Sequence, residues 1–419
     1  MTDAQPITRR KPSQNRQIVF LGLFVVAILV GNVVLTHQFF TSQFPGMADF
    51  MSRWEGTRSF FVDGTSPYSE EASLNIQQRI YGRPIIEDED PGYFVYPFYT
   101  VFLVGPTVFV DYAWASAIWM VTLEFCLLAS LFLLLNLYRW QPGVLLLPIL
   151  LLWALFDYFA ARGLFLGQPS HVVYFLEILT IWAIFRKWDA VAGVALAFST
   201  IKPQMGYLIV PILLIWALVS QRYRFIAGFG VAFVILMGAS FLLQPDWFGD
   251  WLAQMQLYPQ YTAAAYPDLG SPVWNLMQHY LGLGPVAEWI VNILVLVPAA
   301  WGWYQVLVHK RDELFLWSVT LTLVVTHLIA LRTASPHFVV FNLALVFYFK
   351  QISRRYGNGL VFISVIGLII FNWALFIMTV QGRNTIEHPI TFMILSFGIY
   401  ALLLVTRRQW VTYGPRLAR

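Results

Sequence analysis

Between Ile18 and Val405 the sequence keeps returning to long apolar runs, many close to the roughly 20 residues that an α-helix needs to cross a bilayer. No water is available at that depth to satisfy a backbone, so repeated runs of this kind leave only helices or a closed barrel. Their length and continuity favour helices. The composition agrees: 58% of the 419 residues are apolar and 11% charged, against about 25% charged in a soluble domain. Seventeen Trp and 20 Tyr suit two interfacial belts.

Net charge is only +4, but its distribution is informative. Arg9, Arg10, Lys11 and Arg16 precede the first run, and later basic groups fall at 186–187, 222–224, 310–311, 350–355 and 407–408. Lying between apolar runs, they read as cytoplasmic flanks, not as a nucleic-acid surface. Anchoring them inside predicts spans at about 18–40, 112–138, 143–160, 168–185, 189–201, 203–220, 225–243, 286–308, 313–331, 337–349, 359–380 and 389–406. This is an all-α polytopic membrane protein of about 12 crossings (11–13), a single integral domain over 1–419 with both termini cytoplasmic. The first run is too long for a signal-peptide core and reads as a retained helix. The extra apolar stretch "YFVYPFYTVFLVGPTVFV" (93–110) carries Pro97 and Pro106 and is expected to be re-entrant or interfacial.

Two regions are expected on the extracytoplasmic side. Residues 41–93 carry nine Asp/Glu against four Arg, and residues 244–285 form a second long loop. Concentrating polar material on one face argues for chemistry at that surface. Transporters and flippases are the rival class, but they call for internal repeats or paired sites, and no repeat is evident. The lone Cys126 allows no intramolecular disulfide and no thiolate metal site.

Charge at membrane depth costs roughly 2.5–3.5 kcal/mol on insertion scales. Asp49, Asp157, Arg162, Gln168, His171, Lys202, Arg332 and His337 all fall at the outer end of a span or just beyond it. "RGLFLGQPSH" (162–171) is a tight link before a helix N-terminus, which favours anions. In "STIKPQ" (199–204) Lys202 precedes Pro203 and is pushed out of helical geometry. "LRTASPHF" (331–338) sets Arg332 and His337 around a similar break. Cations and helix ends at one depth suit a phosphate headgroup. Each residue also has a plainer reading: snorkelling for Lys202, a core hydrogen bond for Gln168, interfacial packing for the histidines, a helix cap for Asp49. Glu124 and Glu177 lie deeper and read as structural partners, and "EDED" (87–90) as a solvated loop.

The order of "ADF" (48–50), "DGTSPY" (63–68), "YPF" (96–98), "GQ" (167–168) and "AGVALAFSTIKP" (192–203) resembles glycosyltransferase family 87, best over residues 45–225. The resemblance implies a GT-C fold with amphipathic helices in the first extracytoplasmic loop and a bacterial plasma membrane location. It implies a polyprenyl-phosphate sugar donor, most typically mannose, and a lipid- or glycan-linked acceptor. Asp49 stands where the family has its catalytic Asp, here a general base in an inverting transfer. Lys202, Gln168, Arg162, His337 and Arg332 become donor-phosphate candidates, and Tyr68, Tyr96 and His171 pocket candidates. No cofactor and no metal are expected. The closest rival is a lipid-linked oligosaccharide ligase or polymerase, which would carry its main loop late in the chain.

Overall fold

A computed structural model describes residues 14–86, 89–266, 270–330, 333–380 and 387–417. Among them every regular element is a helix and none is a strand. Six helices are long and apolar enough to cross a membrane, or eight if each of two bent pairs counts as one span. Three shorter apolar helices, Ser170–Phe185, Asp189–Ser199 and Ile209–Val219, occupy further expected crossings. The chain is a multi-pass membrane protein.

Its departures from straight spans are where polar residues interrupt apolar runs. The expected span 143–160 is Leu146–Phe156, bent by 48° into Tyr158–Leu166. Asp157 sits at the bend in extended geometry, and its carboxylate accepts a hydrogen bond of 2.9 Å from Asn372 Nδ2. The expected span 203–220 is likewise broken into Pro203–Gly206 and Ile209–Val219. Residues 93–110 contain only a short helix, Thr100–Val104, and one 3-10 turn, Gly105–Thr107, too short to cross. The run expected at 337–349 starts as a 3-10 turn, Ser335–Phe341, and continues as Asn342–Tyr356.

The first helix, Gln14–Thr36, lies at the rim with its apolar side chains exposed. Asn32 Nδ2 donates to Glu124 Oε2 at 2.7 Å, which accounts for a carboxylate in the middle of the Tyr112–Leu137 helix. Glu177 has no comparable partner among the described residues. Phe315–Ile329, by contrast, is almost wholly enclosed by other helices.

The polar segment 41–93 holds two helices, and only one is amphipathic on a surface as expected. Glu70–Tyr81 is capped by the Ser69 hydroxyl, which accepts from the Ala72 N–H at 3.1 Å, and buries Ala72 and Ile76. Ala48–Arg58 is instead packed on nearly every side, with Ser52, Arg53, Glu55 and Thr57 buried. Glu55 pairs with Arg79 at 2.9 Å, tying the two helices together. The second polar segment supplies Trp247–Ala265, whose Tyr261 ring meets that of Tyr93 edge to face at 5.3 Å. The two polar segments therefore meet.

Asp189–Ser199 and Tyr223–Leu243 pack backbone to backbone. A Cβ at Gly193 would stand 2.1 Å from the Phe225 carbonyl oxygen, and one at Gly228 2.4 Å from that of Ala190. Apolar solvent gives helices no hydrophobic reason to associate, so small residues that allow close approach carry the contact. Gly193→Ala and Gly228→Ala are each expected to lower the thermal midpoint of the detergent-solubilised protein by several degrees. Gly230→Ala, which meets no atom within 4 Å, should leave it unchanged; equal midpoints for all three would refute the close-packing account.

Candidate active site

Three breaks in the helical framework converge on one cavity of about 160 Å³. A single water needs about 10–15 Å³ by the same measure, so this is room for a ligand group and not a packing defect. Asp49, Gln168, Lys202, Tyr96 and His337 all line it.

Asp49 lies in the first turn of Ala48–Arg58, where a carboxylate is favoured by the free backbone N–H groups. The turn before it is fixed by the Tyr112 hydroxyl, which donates to the carbonyls of Gly46 and Met47 at 2.9 and 3.0 Å. Gln168 is delivered by a different device. The Tyr158–Leu166 helix ends on Gly167 at φ +67°, and a Cβ there would come within 2.6 Å of Phe50. Only glycine lets this turn rest directly on the helix that carries Asp49. Trp119 Nε1 holds the Gly167 carbonyl at 2.8 Å and its ring stacks on Phe50 at 4.9 Å.

Lys202 stands in extended geometry (φ −129°, ψ 82°) before Pro203, as expected of a residue preceding proline. Its side chain is 1% exposed. Nζ donates to Gln168 Oε1 at 2.6 Å, and Gln168 Nε2 donates to Asp49 Oδ2 at 2.5 Å. One amide thus bridges the acid and the base. Lys202 makes no ion pair among the described residues, and its one hydrogen bond goes to a neutral oxygen. A buried lysine so placed touches no carboxylate among the described residues, the contact that normally offsets its desolvation. His337 closes the same end: Nδ1 accepts from the Ala334 N–H at 3.3 Å, while Nε2 is buried without a partner.

Arg53, one turn after Asp49, was not singled out in the sequence, although an i,i+4 acid–base pair on a helix is a recognisable signal. Its Nη1 lies 3.9 Å from Asp49 Oδ1 and its Nη2 donates to the Tyr96 hydroxyl at 2.6 Å. Tyr96 is therefore fixed as a wall of the cavity. Tyr68 stands behind it, its hydroxyl donating to the Tyr96 carbonyl at 2.7 Å, and does not line the cavity. Other lining residues missing from the sequence reading are Asp90, Tyr81, Tyr93, Tyr258, Tyr261 and Tyr266.

Two expected site residues lie elsewhere. Arg162 is paired with Glu387, Nε to Oε1 at 3.1 Å, and that carboxylate also accepts from Ser335 Oγ at 2.5 Å and from the Tyr158 hydroxyl. His171 is fully buried against Gly163, with Nε2 at 2.9 Å from the Ala160 carbonyl. Its role there is to close a turn, not to face a ligand. Arg332 falls outside the described residues. Among the described residues no three His, Cys, Asp or Glu side chains group as a metal site.

In this all-helical membrane protein one amide bridges a carboxylate and a lysine within a polar cavity. The chain belongs to glycosyltransferase family 87, whose family model matches residues 94–336, more than half of its length. This agrees with a GT-C type transferase. The match takes in Gln168 and Lys202; Asp49 precedes it and His337 follows it by one residue. Neither the curated proteins nor the solved structures provide a match.

Because Lys202 is buried beside a neutral partner, its removal should relieve the folded state. Replacing imperfectly compensated buried charge by an apolar group of similar size is often neutral or stabilising, by about 1–4 kcal/mol. Lys202→Met is therefore expected to keep or raise the thermal midpoint of the ligand-free protein. A marked fall would mean that the lysine serves the fold.

Proposed function

We propose that this glycosyltransferase takes its sugar, mannose by preference, from a polyprenyl phosphate and passes it with inversion to a lipid- or glycan-linked hydroxyl. The cavity opens on the extracytoplasmic face of a bacterial plasma membrane, with both termini inside and the polar segments 41–93 and 244–285 outside. The observation that carries the reading is the continuous hydrogen-bonded path from Asp49 through Gln168 to Lys202.

The two ends of that path match the two charges that such a transfer creates. At one end the acceptor hydroxyl gives its proton to Asp49 as its oxygen bonds to the anomeric carbon. At the other the anomeric carbon–oxygen bond breaks, and its electron pair stays on the departing phosphate oxygen. Lys202 and the unpartnered Nε2 of His337 meet that growing negative charge. Gln168, tied to both ends, fixes their separation and backs the gap in which the anomeric carbon sits. Arg162, held by Glu387, has no part in it. A lipid-linked donor also accounts for the missing glycine-rich nucleotide-phosphate loop in the sequence.

Base assistance is worth about 10²–10⁴-fold in rate. Asp49→Asn should lower kcat by that order in a membrane assay with polyprenyl-phosphate mannose, while donor affinity stays near the wild-type value. Near-normal turnover would remove Asp49 from the chemistry. Loss of donor affinity without loss of kcat would make it a binding residue.

A further inference from the structure

The cavity does not end at Asp49. It continues toward the junction of the two polar segments, and there its lining changes character. The Lys202–His337 end is basic. The rest of the lining includes the Asp90 carboxylate and a group of tyrosines, among them Tyr81, Tyr258 and Tyr261. The lining cation Arg53 already faces Asp49 and Tyr96.

Asp90 is held rather than loose. Its Oδ1 accepts from the Gly92 N–H at 2.9 Å, and its backbone carbonyl accepts from the Tyr81 hydroxyl at 2.8 Å. Burial pushes its carboxyl above the ordinary range and the charge of Asp49 adds to this, while the Gly92 N–H, Arg53 and a hydrogen bond with Tyr266 oppose it. Both carboxylates line the one cavity. Opposite them, Tyr258 and Tyr261 stand one turn apart on Trp247–Ala265, their rings edge to face at 5.5 Å. Tyr93 meets Tyr261 in the same way at 5.3 Å. The hydroxyls of Tyr258 and Tyr261 have no hydrogen-bond partner among the described residues.

These groups select a chemistry. A pyranose or furanose ring offers C–H groups to the negative face of an aromatic ring and a rim of adjacent hydroxyls to a carboxylate. A phosphorylated or uronic acid acceptor would be repelled by Asp49 and Asp90 together. An acyl chain would leave the hydroxyls of Tyr258 and Tyr261 unpaired in a desolvated pocket. We propose that Asp90, Tyr258 and Tyr261 form the acceptor subsite, and that it takes the terminal ring of an uncharged glycan. This rests on the transferase reading of the cavity and assigns the acceptor class that the reading leaves open.

The test is a binding measurement that needs no turnover. Saturation-transfer NMR on the purified full-length chain in detergent would use methyl α-mannopyranoside, methyl α-glucopyranoside and methyl α-arabinofuranoside as probes. The expected result is transfer to at least one of them, with affinity about tenfold weaker or worse in Asp90→Asn and in Tyr261→Ala. Gly230→Ala, which touches nothing in the cavity, should bind the same probe as wild type does. No transfer to any probe by the wild-type protein overturns the proposal, as does binding that survives both substitutions or is lost equally in Gly230→Ala. Glycoside binding that depends on Asp90, together with normal turnover in Asp49→Asn, would keep the subsite and remove the base. The two assignments therefore fail separately.

Discussion

The molecule is organised around an ammonium group buried at a break between two helices. Lys202 could not occupy that place in an unbroken span, because its charge would have no polar atom to meet. Pro203 forces the break, the break turns the side chain inward, and the Gln168 amide supplies the one oxygen it reaches. The other end of that amide holds Asp49. The carboxylate and the lysine are thus joined through one neutral side chain and do not touch each other.

The surrounding fold serves this separation. Three chain breaks, after Leu166, at Lys202 and before Ser335, bring Gln168, Lys202 and His337 to one cavity. Non-helical backbone is tolerated there because it lines a wet cavity and is not exposed to lipid. The close glycine contact between Asp189–Ser199 and Tyr223–Leu243 steadies the short helix that ends just before Lys202. From above, the polar segments close the cavity with a carboxylate and tyrosines. In the proposed transfer, the basic residues and the acidic, aromatic ones would take two chemically different substrates.

Much of this was legible in the sequence where the signal is local. Apolar runs give the membrane fold, Lys–Pro gives a break with an inward cation, and Gly-Gln after an apolar helix gives a turn. What was not legible depends on contacts between distant parts of the chain. Arg162 reads as a free cation until Glu387, more than 200 residues later, takes it. His171 reads as a site residue until the Ala160 carbonyl and Gly163 enclose it. Asp90 belongs to an acidic run that reads as solvated loop, and only the meeting of the two polar segments encloses it with Tyr258 and Tyr261. The segment 203–220 reads as one span because its break at Tyr207–Leu208, just after Gly206, carries no charged residue.

The most direct test of the central claim is an experimentally determined structure of the protein in lipid nanodiscs with a non-transferable polyprenyl phosphonate analogue of the donor. The account predicts a phosphonate oxygen within hydrogen-bonding distance of Lys202 Nζ, with the anomeric carbon lying between it and the Asp49 carboxylate. A headgroup bound elsewhere, or a Lys202 side chain separated from Asp49 by packed hydrocarbon, would contradict it.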